Sequence, residues 1–165
     1  MASYRGHFIG GFIGAVVYTA LMLFLPLQEL AEYAKLLTDW QPIAAIFVIA
    51  MLFGLFPDVD TNSKAQDIFF GIAFPIDALL IWNHKLQAAA YLGFIAMLPI
   101  VTHHRGWTHA KWAAFVVPIP IILIPSLYDT KMIPISLVFY GAAVTGYLSH
   151  LLLDGLVVRW FRVTW

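Results

Sequence analysis

From Phe8 to Leu27 the chain runs for twenty residues without a charged side chain. At ~1.5 Å of rise per helical residue, such a stretch crosses the ~30 Å hydrocarbon core of a bilayer. It is longer than the ~7–15-residue apolar region of a cleaved signal peptide, so it is expected to remain as a membrane span. Four further uncharged runs follow, Gln41 to Pro57, Gln87 to Thr102, Trp112 to Tyr128 and Met132 to Ser149, and a weaker one, Ile68 to Trp82, is interrupted by Asp77.

Composition excludes the main alternatives. Only 11% of residues are charged and 62% are hydrophobic, whereas soluble domains carry ~25% charged residues. A soluble globular enzyme and a disordered tail are both ruled out on that ground. Nine Lys and Arg are matched by nine Asp and Glu, leaving no basic face to neutralise phosphates, so no nucleic acid is expected as a partner. The absence of cysteine removes thiolate catalysis, thiolate metal sites and disulfides. The chain is therefore expected to be one integral membrane domain over residues 1–165, an all-α polytopic transmembrane helical bundle of about six segments. Four to six is the range, because several runs are short and the third contains Asp77.

The short runs carry their own expectations. Fifteen to seventeen helical residues reach only ~23–26 Å, so such helices thin the bilayer, end inside it or re-enter. Pro118, Pro120 and Pro125 should bend the fifth segment. The polar connection Gln28 to Trp40 is amphipathic, with Leu30, Tyr33, Leu36 and Leu37 set against Glu29, Glu32 and Lys35, and should lie along the interface. If all six segments cross, Arg5, Lys64, Arg105, Lys111, Arg159 and Arg162 share one side, and Lys35, Lys85 and Lys131 the other. That bias places both termini in the cytoplasm, in the cytoplasmic membrane of a bacterium or archaeon.

The few ionisable groups fall in clusters. These are His7; Asp58 and Asp60 in Phe-Pro-Asp-Val-Asp; His103, His104 and His109 in His-His-Arg-Gly-Trp-Thr-His; and His150 with Asp154 in Ser-His-Leu-Leu-Leu-Asp. The six-span count, made from hydropathy alone, puts all of them at one membrane face. His150 and Asp154 are four apart in an apolar helix and share one of its faces. Asp58 and Asp60, two apart after a proline, point the same way if that loop is extended, and either could instead cap the following helix. His104 and His109 bracket Gly106, where the backbone is free to turn. A buried Asp one turn from a His in a membrane helix is costly unless paired, which favours a functional role. Ser149 lies beside His150, but adjacent helical residues do not face each other and no nucleophile elbow is present; a hydrogen bond supporting a ligand is expected of it, and of Thr108.

Imidazole and carboxylate donors without thiolate suit Zn, Mn or Fe and poorly suit Cu(I) or an iron–sulfur cluster. The ligand candidates His7, Asp58, Asp60, His104, His109, His150 and Asp154 outnumber the three protein ligands of a single catalytic zinc, so two divalent ions are expected. Paired ions ~3.5–4 Å apart produce hydroxide near neutral pH and stabilise charge on entering and leaving oxygens. That is hydrolytic chemistry. Arg105, within the His cluster, has the planar fork for a phosphoryl group, and pairing with lipid headgroups or an Asp fits it equally.

The ordered set Gly6-His7, Leu55-Phe56-Pro57-Asp58-Val59-Asp60, His104-Arg105-Gly106-Trp107-Thr108-His109 and Gly146-Tyr147-Leu148-Ser149-His150-Leu151-Leu152-Leu153-Asp154 resembles the LexA-regulated, membrane-bound metal-dependent hydrolases, the YdjM-like family. The resemblance covers almost the whole chain. It implies a small helical inner-membrane protein with metal-dependent hydrolase activity, remotely similar to zinc-dependent phospholipases C and P1-type nucleases. It assigns metal ligation to the same seven residues. Thr61 and Ala110 stand where many members carry a His and a Ser.

The function expected from these readings is a membrane-embedded hydrolase with a cytoplasm-facing di-metal site. It would act on a phosphoester, either a membrane lipid or a small molecule at the membrane, with Arg105, Asp60 and His104 as catalytic residues. The alternative is a non-catalytic metal-binding membrane protein, a transporter or sensor. A transporter would place its ligands nearer the bilayer midplane.

Overall fold

The computed structural model of the chain describes residues 4–24, 35–60, 63–97 and 107–155. All regular structure among these residues is helical. Lipid imposes this, because a helix satisfies its backbone N–H and C=O groups internally where no water is available. The helices are α1 (Tyr4–Phe24), α2 (Trp40–Leu55), α3 (Lys64–Trp82), α4 (Leu86–Met97), α5 (Ala113–Val116), α6 (Pro120–Ser126) and α7 (Ile133–Leu153). Four stretches are long and apolar enough to cross a membrane: Tyr4–Phe24, Trp40–Asp60, Lys64–Trp82 and Thr130–Leu153. They match the first, second, third and sixth runs, including the one interrupted by Asp77, and lie within the expected range of four to six. The proline-rich fifth segment is broken as anticipated: Pro118 separates α5 from α6, and Pro120 starts the second piece at a position where no N–H is needed. The amphipathic stretch before Trp40 lies mostly outside the described residues; its last part, Lys35–Thr38, is a 3-10 turn.

Contacts gather in two compact units, residues 1–55 with 111–165, and residues 56–110. In the first, α1, α2 and α7 pack on one another, with α6 against α7. Their patterning is that of soluble helices turned inside out. On α1 the buried positions are His7, Gly11, Gly14, Ala15 and Met22, while Phe8, Ile9, Phe12, Ile13, Val16 and Val17 are exposed. With no hydrophobic drive between helices in lipid, small residues line the contacts because they let backbones approach. At one end of this bundle the packing is apolar, with Met22, Ile46, Val138 and Ala142 buried together.

The other end is built on glycine. A Cβ added at Gly11 would lie 2.9 Å from Ala50 O and Met51 Cα; one added at Gly54 would lie 3.2 Å from Gly11 Cα and His7 O; and one at Gly146 would overlap the Ala50 backbone. At these three glycines α1, α2 and α7 touch main chain to main chain. Across the bundle, the Tyr18 hydroxyl donates to Val138 O at 2.9 Å, tying α1 to α7.

In the second unit, α3 and α4 form an antiparallel hairpin closed by Asn83, His84 and Lys85, with His84 at φ 57°. The left-handed region suits a hairpin corner and is uncommon for any residue but glycine. A 3-10 turn, Phe56–Asp60, precedes α3 and contacts it, and a second, Trp107–His109, contacts the first. Ser63 caps α3, its hydroxyl accepting from Gln66 N at 3.3 Å and donating to Asp58 O at 2.8 Å.

Candidate functional site

Glycine spacing explains how two histidines meet in the first unit. His7 precedes Gly11 by four residues on α1, and His150 follows Gly146 by four on α7, so each imidazole extends the stripe along which the helices approach most closely. The α1 chain starts at this end while α2 and α7 finish there, and Gly54 on α2 leaves room between them. The two rings stack with centroids 3.7 Å apart and planes 17° from parallel. Both are almost fully enclosed, at 1% and 0% exposure. His150 Nδ1 lies 2.8 Å from Gly54 O. A carbonyl can only accept, so Nδ1 carries a hydrogen, and in the neutral ring Nε2 is the lone-pair nitrogen.

That lone pair faces a carboxylate. Asp154, at the C-terminal boundary of α7, places Oδ1 3.5 Å from His7 Nε2 and Oδ2 3.8 Å from His150 Nε2. Donor atoms of all three residues lie within 4.8 Å of one another. These separations are longer than a hydrogen bond. They resemble the edge of a coordination tetrahedron, since donors about 2.05 Å from a zinc ion sit roughly 3.3 Å apart. Two imidazoles and one carboxylate are the donor set of a catalytic zinc site with one position left open, and also suit Mn and Fe. The residues present fit such an ion.

The second unit holds another set. His109 Nε2 is 3.6 Å from Asp58 Oδ1. Thr108, fully buried, donates its hydroxyl to Asp60 Oδ2 at 2.7 Å, and its oxygen lies 3.2 Å from His109 Nδ1. With its one hydrogen committed to Asp60, the hydroxyl accepts from Nδ1–H, which again leaves Nε2 as the lone-pair nitrogen. The expected extended loop at Asp58 and Asp60 is instead a 3-10 turn. Its three residues per turn send side chains two apart in different directions, so Asp58 meets His109 while Asp60 meets Thr108. Neither aspartate caps α3, because Ser63 does so.

With this geometry in view, comparison with protein families is decisive on kinship. The family model described as YdjM inner membrane protein matches residues 3–165. The chain belongs to the YdjM inner membrane protein family. It is accordingly an integral membrane protein, and its four long apolar helices fit that. No curated protein and no solved structure gives a significant match.

Of the residues picked out in the sequence, the fold joins His7, His150 and Asp154 in one set, and Asp58, Asp60 and His109 in another. His103, His104, Arg105 and Thr61 lie outside the described residues. Ser149 donates its hydroxyl to Gly146 O at 2.7 Å, a bond within its own helix, and is no support for a ligand through that bond. Thr108 hydrogen-bonds two of the candidate ligands, Asp60 and His109. The sequence reading missed Gly54 and Gly146 as spacers of the site. The signal was available in the four-residue offsets of Gly11 and Gly146 from the two histidines, but Gly54 has no such marker.

Proposed function

We propose that this member of the YdjM inner membrane protein family is a membrane-embedded, metal-dependent hydrolase acting on a phosphoester at the membrane. The observation that carries the reading is the enclosed His7–His150–Asp154 set, whose stacked imidazoles face the two oxygens of one carboxylate at 3.5 and 3.8 Å. His7, His150 and Asp154 would hold one divalent ion of the Zn, Mn or Fe class. Asp58 and His109 would hold a second, with Asp60 beside them and His104 added from the sequence. When bound, such ions supply Lewis acidity and an activated water.

The chain's own residues do the rest. Gly54 O fixes His150 through Nδ1, and Thr108 fixes Asp60 and His109, so the donors are oriented before any ion arrives. Burial of His7 and His150 excludes bulk water from their ring faces. Arg105 would clamp phosphoryl oxygens with its planar fork. Both termini are proposed to face the cytoplasm, from the charge bias of the sequence. Membrane lipid headgroups and small amphiphilic phosphoesters are the proposed substrates.

The test uses the full chain purified in detergent and loaded with Zn or Mn. Hydrolysis of bis(p-nitrophenyl) phosphate and of a phospholipid is followed beside metal content. One to two ions per chain are expected, with turnover abolished by chelation and by His150→Ala. Metal-loaded protein without turnover on either substrate, or turnover that survives His150→Ala, refutes the hydrolase reading. Metal-loaded protein that instead carries the ion across proteoliposomes would establish the transporter.

A further inference from the structure

Asp77 takes no part in either donor set, yet it is the acidic side chain set furthest into α3, five residues or ~7.5 Å before Trp82. Its Oδ1 is enclosed and accepts no hydrogen bond among the described residues. It lines an open groove of about 490 Å³ between α3 and α4, together with Ile81, Ala89, Gly93, Phe94 and Met97. The α4 wall sets the small residues Ala89, Ala90 and Gly93 between Leu86, Phe94 and Met97, and a Cβ built at Gly93 meets nothing within 4 Å among the described residues. Gly93 therefore serves no close helix contact there; it leaves space.

A carboxyl group in an apolar groove within a membrane span selects its occupant by elimination. An anion is repelled. A neutral apolar molecule leaves the carboxylate without a partner, at a cost that membrane proteins avoid. A metal ion requires several donors, and among the described residues Asp77 is the one acidic or imidazole side chain lining the groove. What remains is a hydrogen-bond donor on an apolar body, and a cationic nitrogen makes a stronger, charge-assisted bond than a hydroxyl does. We propose that the α3–α4 groove binds an amphiphile bearing an ammonium group, with the nitrogen donating to Asp77 and the hydrocarbon lying against Ile81, Phe94 and Met97. This site is independent of the metal sets.

Radiolabelled n-decylamine and n-decanol are titrated onto the full chain in phosphatidylcholine nanodiscs, with empty nanodiscs as background. Decylamine should saturate at one per chain and decanol should not. Asp77→Asn, of equal size, should weaken decylamine binding at least tenfold, and Gly93→Leu, whose Cβ meets nothing within 4 Å among the described residues and whose bulk occupies the groove, should abolish it; both variants should keep the parent metal content. Decylamine binding that equals the empty-nanodisc background, matches decanol, or survives Asp77→Asn within twofold overturns the proposal. Repetition in phosphatidylethanolamine nanodiscs identifies the source. A raised apparent Kd makes an aminophospholipid headgroup the resident ligand, and an unchanged one makes it a free amphiphilic amine.

Discussion

The replacement Gly11→Ala puts the geometry of the first donor set to a quantitative test. The added methyl would stand 2.9 Å from both Ala50 O and Met51 Cα. Those are main-chain atoms of α2 and cannot rotate away. Restoring an ordinary contact of ~3.5–4.0 Å requires α1 and α2 to separate by roughly 0.6–1.1 Å. His7, one turn earlier on the same stripe, is carried with α1. Its Nε2, now 3.5 Å from Asp154 Oδ1 on α7, would shift by up to that amount and lose the spacing, roughly 3.3 Å, at which two donors share a zinc ion. Overpacking of this kind costs ~1–3 kcal/mol, and loss of ligand orientation typically costs 10–100-fold in metal affinity. The assay is a zinc titration against a competing chelator, run beside thermal unfolding in detergent. Gly71→Ala is the control, because a Cβ there meets nothing within 4 Å among the described residues. Gly11→Ala should lower both metal affinity and Tm, and Gly71→Ala neither. Parent values of both for Gly11→Ala would refute the reasoning that main-chain contact sets the position of His7.

Other outcomes follow from the same contacts. His150→Phe keeps a planar ring of similar bulk but loses both the bond to Gly54 O and the Nε2 donor, so metal content measured by mass spectrometry should fall by one ion per chain. Thr108→Val leaves Asp60 and His109 without the hydroxyl between them; affinity at the second set should drop ~10–100-fold, whereas Thr108→Ser should restore most of it in the same titration. Tyr18→Phe removes the bond to Val138 O, about three turns along α1 from His7, and should cost ~0.6–1.5 kcal/mol of stability with metal affinity at the first set unchanged. A chelator should lower the Tm of the parent chain, by mass action, and should leave that of His150→Phe less affected.

The helices were legible in the sequence because lipid leaves so few choices. An uncharged run of about twenty residues becomes a helix whatever its neighbours do, and the described part of the first run, Phe8 to Phe24, is helical throughout. The break at Pro118 was equally local, since it depends on a missing N–H. The pairing of His150 with Asp154 was visible from helical periodicity, and their meeting with His7 from the direction in which each span runs. The conformation of Phe56–Asp60 was not legible. Asp after Pro fits an extended loop and a 3-10 turn alike, and the choice is made by contacts with Trp107–His109, far away in the chain. Gly54 was overlooked for the same reason: its use depends on the backbones of α1 and α7, which no local pattern of α2 reports. Asp77 stood out from the start as a charge in an apolar run, but the groove beside it exists only once α4 folds back on α3.

The central claim is that His7, His150 and Asp154 are ligands to one metal ion. A diffraction structure of the zinc-loaded full chain, with anomalous data collected at the zinc edge, tests it most directly. The expected result is an anomalous peak ~2.0–2.2 Å from His7 Nε2, His150 Nε2 and an Asp154 oxygen. Zinc found elsewhere in the protein, with those three side chains bonded only to one another, would contradict it.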